Sequence, residues 1–474
     1  MRSLPLSVDS SPRQHYGITL AVLATAALAY AVSQTMVAPA LPAIQKDLDT
    51  TTTGVTWVLT IYLLTASIAT PVLGRLGDMF GKEHVLVGVL GMFALGSLVA
   101  ALSHSIGVLV AGRAIQGFGG AVFPLAFGII RDEFPPERVA QGIGLISATF
   151  GIGGGVGLVA AGVIVDHLSY EWIFWIALIV TAIAIVCTLL FVPESPVKVP
   201  AKIDWIGAAL LAVGLGALLL GISQGPAWGW GSGRVLGLFV AAGVALITWI
   251  RFELRVPEPL VDMQMMRRRP VWSTNLAALL VGFGMFGSFI LIPQFVQAPP
   301  NAGYGFDATV SEAGLILLPS TVVMLFAGPI AGWLGSRVGS RLPLMIGTLL
   351  AAAAFALIGI AHEERWELYI GTALMGAGIG FAFAAMANLI VEAVDPTETG
   401  VATGMNTIMR TVGGSLGGQI SATIVTAHVI AGTQIAKESG YTVAFFLSSA
   451  VLLLAFGATL LVPVRARVRT SVAG

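Results

Sequence analysis

Two arginines lie inside stretches of this sequence that are otherwise apolar. Arg113 and Arg410 are each flanked by long runs of aliphatic residues and glycine. An ionised side chain is costly in hydrocarbon, so it must face a bundle interior, a partner or water. Arg113 therefore either takes part in charge movement or fastens helices together. Arg410 either attracts anionic substrates or pins helices, and the sequence leaves both pairs of alternatives open.

A third group of charges forms a short polar loop at 74–82, which reads Gly-x-Leu-x-Asp-x-x-Gly-Lys. The loop separates two apolar stretches of membrane length, so it must be a tight connection at a bilayer face. Gly74 lets neighbouring helices come close, and Asp78 costs little only if it is paired or faces headgroup water. The frame recurs 258 residues later, at 332–341, with Ser336 in place of the acid. A weak repeat of this kind is typical of transporters built from two related halves.

The elements that position these residues are membrane helices. Of the 474 residues, 56% are hydrophobic and 10% are charged, and the mean hydropathy is +0.91. Soluble domains carry about a quarter charged residues, so lipid must be the solvent for most of this surface. A formal net charge of +0 gives no reason to expect a nucleic-acid partner. The one cysteine, Cys187, excludes an intrachain disulfide.

Apolar runs of roughly 20 residues predict an all-α polytopic membrane protein with about fourteen transmembrane helices. The expected spans are 17–41, 55–73, 84–102, 107–130, 140–165, 171–192, 203–223, 233–252, 271–296, 311–333, 342–361, 366–392, 402–430 and 441–463. If successive spans cross the membrane in opposite directions, 18 of the 24 lysines and arginines fall on one side of the membrane, 4 on the other and 2 inside spans. The positive-inside rule then predicts a multi-pass protein of the cell membrane with both termini in the cytoplasm.

The internal repeat predicts two pseudo-symmetric six-helix bundles with two helices inserted between them. The expected segments are a cytoplasmic tail at 1–16, an N-terminal bundle at 17–193, a linker with two extra transmembrane helices at 194–270, a C-terminal bundle at 271–463 and a second cytoplasmic tail at 464–474. The connection at 256–270 carries three consecutive arginines. We interpret it either as a surface-lying helix near anionic headgroups or as a plain positive-inside anchor.

Together these patterns resemble the major facilitator superfamily, and within it the fourteen-helix drug:proton antiporters of the bacterial multidrug efflux type. The loop at 74–82 is similar to the superfamily's loop between helices two and three, and the two-helix insert points to this branch. Asp-Trp-x-Gly at 204–207 and Ala-Gly-Leu-x-Leu-x-Pro at 313–319 stand where that branch has them. The resemblance runs over about 18–462.

The resemblance assigns a conformational role to the loop. Gly74, Asp78, Gly81 and Lys82 would form a latch that holds the two halves in the outward-open form. The second copy of the frame has Ser336 where the first has the acid. We therefore expect the latch in the N-terminal half only.

The fourth span carries Arg-x-x-Gln-Gly at 113–117, which is similar to a superfamily motif whose arginine is tied to proton coupling. Arg113, Gln116 and Arg410 are accordingly expected in a central polar region. The first span departs from the family pattern, because Ser33 stands at its usual acidic position. No acidic residue falls clearly at mid-membrane, so proton coupling would have to involve Arg113 with Asp78, or the titratable imidazole of His428.

The fifth span resembles the family's antiporter motif. Gly153 and Gly157 are four residues apart, so they form a smooth face for a neighbouring helix, and Gly162 extends the motif. Leu158 and Ala161 replace the family's proline and the first of its paired glycines. The helix should be less kinked as a result, and a plain packing face explains the motif equally well.

A substrate cavity is expected near residues of three spans. They are Gln34, Phe283, Phe286, Gln294 and Asn406. Aromatic rings at helical spacing with a few polar groups suit an apolar ligand, although contact with lipid or another helix would explain the same rings.

We therefore expect a secondary active transporter that exports small organic molecules, either drugs and antibiotics or hydrophobic metabolites, by proton antiport with alternating access. The alternative is a facilitator or exporter of a single metabolite without proton coupling. A membrane-embedded enzyme is disfavoured, because no metal-ligand spacing, nucleophile set or phosphate-binding loop is present in the sequence. A channel is disfavoured, because two six-span halves suit alternating access better than a pore built from segments repeated around an axis. The expected partners are a small-molecule substrate, the lipid bilayer and protons, with no cofactor and a monomeric chain.

Overall fold

α-Helices build nearly all of the structure, a computed structural model that describes residues 16–195, 203–430, 433 and 435–463. The helices are α1 (Tyr16–Asp47), α2 (Thr52–Phe80), α3 (Lys82–Ala101), α4 (Ile106–Gln116), α5 (Val122–Glu133), α6 (Pro136–His167), α7 (Glu171–Phe191), α8 (Trp205–Trp228), α9 (Gly233–Glu253), α10 (Met263–Arg267), α11 (Arg269–Val296), α12 (Val310–Val338), α13 (Arg341–Ile360), α14 (Arg365–Ala393), α15 (Thr399–Ala427) and α16 (Glu438–Leu460). Short 3₁₀ turns occur at Gly117–Ala121, Pro300–Ala302 and Pro396–Glu398. The two predicted tails lie outside the described residues, apart from Tyr16.

Twelve helices of the described chain are long and apolar enough to cross a membrane. α4, the 3₁₀ turn after it and α5 count as one of them, Ile106–Glu133. Two further long helices, α11 and α15, are not among the twelve. In α11 the side chains of 286–290 are not described, and α15 is rich in glycine and threonine.

The helices pack as two related groups. In the first, α1 packs against α6 and α3 packs against α7. In the second, α11 packs against α15 and α13 packs against α16 in the same way. The groups meet along two antiparallel helix pairs, α6 with α12 and α2 with α15.

The inserted pair lies to one side of the interface between the groups. α8 packs against both α2 and α15, and α9 packs mainly against α8. Near the C-terminal end of α8, the hydroxyls of Thr60 and Ser223 are 2.9 Å apart, and Trp230 donates to Thr423 at 3.4 Å. The insert thus contacts both halves. The outer face of α9 is apolar and exposed, with Val240 at 66% of its surface, as lipid contact requires.

The connection after the insert differs from the surface helix considered above. Only α10 is helical, and it is 5 residues long. Leu260, Val261, Met263 and Met265 are buried in a cluster with side chains of α8 and α15. Burial of these four apolar side chains holds the segment against the bundle, so it does not lie flat among headgroups.

Candidate functional site

The predicted loop at 74–82 is almost entirely helical. α2 continues to Phe80 and α3 begins at Lys82, so Gly81 alone makes the turn between them. Its φ of 104° is a backbone conformation that favours glycine. The helix extends past Gly74 because its last turns pack against α15. We call the end of the bundle that carries Gly74, Asp78, Gly81 and Lys82 the latch end.

Asp78 connects the two halves by capping a helix. Its side chain is completely buried. One carboxylate oxygen accepts the N–H of Gly400 at 3.1 Å, and the other accepts the N–H of Val401 at 3.2 Å. These amides belong to the first turn of α15, where N–H groups have no acceptor within the helix and the helix dipole is positive. An acid of one half therefore stabilises the N-terminus of a helix of the other.

The contact depends on a close approach of two glycines. A Cβ atom on Gly74 would lie 2.5 Å from the carbonyl oxygen of Gly400. No side chain fits at that distance, so α2 and α15 touch backbone to backbone. The glycine frame sets the separation of the helices, and the acid supplies the charge.

Lys82 lies beneath this contact, between two carboxylates. Its amine is 2.7 Å from Asp132 and 3.6 Å from Asp78, and all three side chains are buried. Asp132 also accepts a hydrogen bond from Ser195 at 2.5 Å. The two acids share this cation, and the carboxylate of Asp78 faces the positive end of α15.

Arg131 makes a second connection at the latch end, which the sequence analysis did not identify. Its guanidinium donates to the carbonyls of Val394 at 2.7 Å and Asp395 at 3.0 Å, and to the hydroxyl of Thr399 at 2.6 Å. These acceptors immediately precede or begin α15. The sequence feature that could have identified Arg131 is its position as a basic residue at the end of the fourth span, on the same membrane side as the loop at 74–82.

The second copy of the frame keeps the packing and lacks the charge. Gly332 lies against the backbone of Ala140, as Gly74 lies against that of Gly400. Ser336 is exposed, and its hydroxyl donates within its own helix to Trp333 at 2.8 Å. No charged cap joins α12 to α6 at this position.

Arg113 is completely buried and held within the N-terminal half. Its guanidinium donates to the carbonyl of Val58 at 3.2 Å and to Gln116 at 2.8 Å, and its central carbon lies 3.9 Å from the ring centre of Tyr62. Gln116 in turn donates to Ser97 at 2.6 Å. One terminal nitrogen, Nη2, has no partner among the described residues. No described carboxylate neutralises this charge.

The structure separates the groups that were considered for proton transfer. Arg113 contacts α2 at Val58, whereas Asp78 lies twenty residues further along that helix, about 30 Å away at 1.5 Å per residue. His428 is exposed at the end of α15. Ser33 is buried, and its hydroxyl has no partner among the described residues.

Arg410 lies at the interface between the halves and lines a small cavity there. Its guanidinium carbon is 4.3 Å from the ring centre of Phe383 and 5.4 Å from that of Phe150. The other residues that line this cavity come from α1, α2, the fourth span, α6 and α15. They are Tyr30, Gln34, Leu63, Ala66, Ser67, Thr70, Gly120, Phe123, Phe150, Thr407, Ile408 and Thr411.

Gln34 is the member of the predicted cavity set that the structure places on this wall. Asn406 instead donates to Asn275 at 2.9 Å and ties α15 to α11. Gln294 is exposed near the end of α11. Asn406 and Gln294 thus lie away from the cavity.

The aromatic side chains of the cavity are not the predicted ones. Phe283 is buried and does not line the cavity, and the side chain of Phe286 lies outside the described part of the structure. Tyr30, Phe123 and Phe150 line it instead. They come from three different spans, so no spacing within one span marks them as a set.

The glycine motif of the fifth span faces two helices. Thr35 of α1 donates to the carbonyl of Gly153 at 2.7 Å, and a Cβ on Gly157 would collide with Thr35. Gly162 lies on the other side, where a Cβ would be 2.7 Å from the hydroxyl of Ser311 in α12. The motif therefore fits α6 both to its own half and to the opposite one.

The chemistry of the site suits binding and movement. In the described part of the chain, no group of three or more His, Cys, Asp or Glu side chains is arranged to hold a metal ion. The buried carboxylates there belong to Asp78, Glu83, Asp132 and Glu253, and none of them lines the cavity. The cavity offers one cation, one amide, several hydroxyl groups and aromatic rings.

Comparison with known proteins gives a consistent result. Residues 23–418 and 296–473 match the family described as the Major Facilitator Superfamily. The tetracenomycin C resistance and export protein of Streptomyces glaucescens is 32% identical over 384 residues, which cover 79% of this chain and 70% of that protein. The multidrug transporter protein MdtP of Bacillus subtilis is 29% identical over 377 residues, covering 79% and 68%.

A solved structure supports the fold. The human organic anion transporter MFSD10 superposes with a TM-score of 0.68, covering 95% of this chain and 100% of that one. The two sequences are 17% identical, so this similarity concerns the fold alone.

Proposed function

Because the chain belongs to the Major Facilitator Superfamily, we propose that it is a secondary active transporter that exports small organic molecules by alternating access. One observation carries the proposal. A polar and aromatic cavity lies between two related halves, which are fastened to each other at the latch end. Its relatives are transporters, and the tetracenomycin C exporter supports antibiotic-like or hydrophobic metabolites as cargo.

The proposal includes fourteen spanning helices and the drug:proton antiporter branch. α11 and α15 have 28 and 29 residues, which at 1.5 Å per residue give about 42 Å, more than the hydrocarbon core requires. Both pack against helices of the spanning set. An even number of spans returns the chain to its starting side. The basic residues Arg131, Arg268 and Arg341 of the latch end support a cytoplasmic location for that end and for both termini.

In this arrangement the latch controls access. Asp78 and Arg131 join the N-terminal half to the first turn of α15, so the cytoplasmic side is closed while these bonds exist. Rocking of the halves opens that side when both contacts break. Lys82 remains paired with Asp78 and Asp132 within its own half, so the buried acids keep a counter-ion in either state.

Proton antiport is the coupling we propose, with Arg113 and its partners as the charged element inside the N-terminal half. Gln116 and Ser97 connect the guanidinium to α3, and Val58 connects it to α2. A second candidate function has an observation in its favour. Neither the buried Ser33 nor the cavity wall supplies a carboxylate that would carry a proton, which favours a facilitator or a single-metabolite exporter without coupling.

A transport assay in proteoliposomes distinguishes proton antiport from uncoupled transport. The purified protein is reconstituted with a pH-sensitive dye inside, an inward proton gradient is applied, and tetracenomycin C or a lipophilic cation is added. Proton movement that follows substrate addition and disappears in Arg113→Ala supports antiport. Substrate movement without a proton signal supports the facilitator. Absence of movement for every compound in a panel of antibiotics and hydrophobic metabolites contradicts the export proposal.

A further inference from the structure

We propose that the cavity beside Arg410 is an anion-binding site and that its cargo is a planar aromatic acid. The inference rests on the proposed function, because it assigns a substrate class to the same cavity. It extends that function by predicting which charge the transporter selects. It also decides between the two roles that the sequence left open for Arg410.

The first argument is the missing counter-ion. Arg410 is 8% exposed, and no described residue forms an ion pair or hydrogen bond with its guanidinium. The cavity wall contains no Asp or Glu, and the nearby undescribed side chains at 286–290 are not acidic either. Buried charges in membrane proteins are normally paired. An anionic ligand would supply the partner that the chain lacks.

The second argument comes from comparing the two intramembrane arginines. Arg113 donates to Val58 and Gln116, stacks on Tyr62 and lies off the cavity wall. Those contacts engage two of the three guanidinium nitrogens of Arg113 within its own half. Arg410 has ring contacts but no acceptor among the described residues, and ring faces do not replace the oxygens that guanidinium N–H groups normally bind. Its donors are available to a ligand.

The third argument is the set of neutral polar groups around Arg410. The side-chain oxygens of Gln34 and Ser67 are buried without a hydrogen-bond partner among the described residues. Rotation of the Gln34 amide exchanges its oxygen for its NH₂ group, and the Ser67 hydroxyl is free to donate. Arg410 comes from α15, Gln34 from α1 and Ser67 from α2. A carboxylate held by all three would touch both halves at once.

The fourth argument is the aromatic wall, which selects the body of the ligand. Ring centres run from Tyr30 to Phe123 at 6.0 Å, from Phe123 to Phe150 at 5.5 Å and from Phe150 to Phe383 at 5.6 Å. Such surfaces favour flat unsaturated ligands through stacked or edge-on contacts. Lipophilic cations are disfavoured, because they would meet the positive charge of Arg410 with no acid to offset it.

The test uses three fluorescent probes with one ring system and different charges. They are anthracene-2-carboxylate, its uncharged carboxamide and anthracen-2-ylmethylammonium. Binding to the purified full-length protein in lipid nanodiscs is measured by fluorescence anisotropy. We expect wild-type protein to bind the carboxylate at least about tenfold more tightly than either other probe. Arg410→Gln should abolish this preference, and Arg410→Lys should retain part of it.

The matched control is Arg337→Gln. Arg337 also stacks on an aromatic ring, with its guanidinium carbon 4.2 Å from the ring centre of Trp333, but it lies on the surface. This variant should bind all three probes as wild type does. Monodisperse elution and an unchanged melting temperature show that a variant is folded. If Arg410→Gln fails to fold, the wild-type preference and the Arg410→Lys variant still decide the question.

Three results would overturn the inference. Equal binding of the three probes, or tightest binding of the ammonium, removes the anion preference. A carboxylate preference that persists in Arg410→Gln would show that Arg410 does not bind the anion. If none of the three probes binds, planar aromatic acids are not the cargo. Each of these leaves export itself to be judged by the proteoliposome experiment with other compounds, so the two proposals fail separately.

Discussion

Asp78→Asn should weaken the closure of the latch end without unfolding the protein. The carboxylate accepts two N–H groups of α15, at 3.1 and 3.2 Å. Asparagine keeps one oxygen and turns an NH₂ group towards the other amide. The change therefore removes one charge-assisted bond and the favourable charge at the helix N-terminus. The hydrogen bond contributes about 1.5–3 kcal/mol, and the charge at the helix N-terminus about 0.3–1 kcal/mol. We take about 2 kcal/mol as the net loss after relaxation, which is about a 30-fold change in the ratio of closed to open latch. A population of about 99:1 would become about 3:1.

Distances between spin labels on the two halves measure this population. Both His84 and Val338 are exposed, with Val338 at 51%, and they begin α3 and end α12 at the latch end. Labelled cysteines at these positions, with Cys187 replaced by alanine, should give one short distance in the parent protein. Asp78→Asn should add a longer distance in roughly a quarter of the molecules, as the ratio above requires.

The same frame in the other half provides the control. Ser336 occupies the position equivalent to Asp78, is exposed and bonds only within its own helix in the described structure. Ser336→Ala should leave the distance distribution unchanged. An Asp78→Asn distribution identical to that of the parent would refute the reasoning, because it would mean that the cap does not stabilise the closed state.

Three further predictions follow from contacts at the latch end and around Arg113. Gly400→Ala should prevent full closure and reduce transport, because its Cβ would collide with the backbone of α2, whereas Gly88→Ala, which meets nothing within 4 Å, should transport normally. Burial raises the pKa of Glu398, and neighbouring carboxylates raise it further. The Glu398 carboxyl therefore binds its proton more tightly in the folded than in the unfolded protein. Protonation of Glu398 stabilises the fold fully below the ordinary carboxyl pKa of about 4.3, and this stabilisation is lost as the pH rises through the raised pKa of Glu398 in the folded state. Glu398→Gln should flatten that part of the melting-temperature profile, and an unchanged profile would contradict this assignment. Gln116→Leu should lower the stability by roughly 2–4 kcal/mol, because it removes an acceptor of the buried Arg113 guanidinium. Detergent melts would measure the loss, and a shift below one degree would show that Gln116 is dispensable.

The sequence contained enough information to predict an all-helical membrane protein. The apolar run at 84–102, for example, became α3, Lys82–Ala101. Hydrophobic length decides such a helix locally, so no knowledge of its neighbours is needed. The loop at 74–82 could also be singled out, because its glycine and aspartate frame recurs 258 residues later; its role as a latch stays a prediction. The partner of Asp78 on α15 could not be predicted, because it lies more than 300 residues away.

The cavity could not be derived in the same way. Asn406 and Arg410 are four residues apart on α15 and so lie on neighbouring parts of one face, yet Asn406 bonds to α11 while Arg410 reaches the cavity. α15 contacts both α2 and α11, so a small rotation of the helix decides which neighbour each side chain meets. Hydropathy carries no information about that rotation. The same limit explains why Phe283 was expected on the wall and Phe150 was not.

Counterflow measures the central claim, which is that one cavity between two rocking halves carries substrate across the membrane. Proteoliposomes are loaded with an unlabelled compound that the proteoliposome assay shows to be carried, diluted into a trace of the labelled compound, and followed over time with the ionic gradients collapsed. A carrier of this kind should accumulate label transiently above its equilibrium level, and Gly400→Ala should remove the overshoot while Gly88→Ala keeps it. Label that only equilibrates, with no overshoot at any loading concentration, would contradict alternating access. Recovery of a chemically altered compound would contradict transport as the activity.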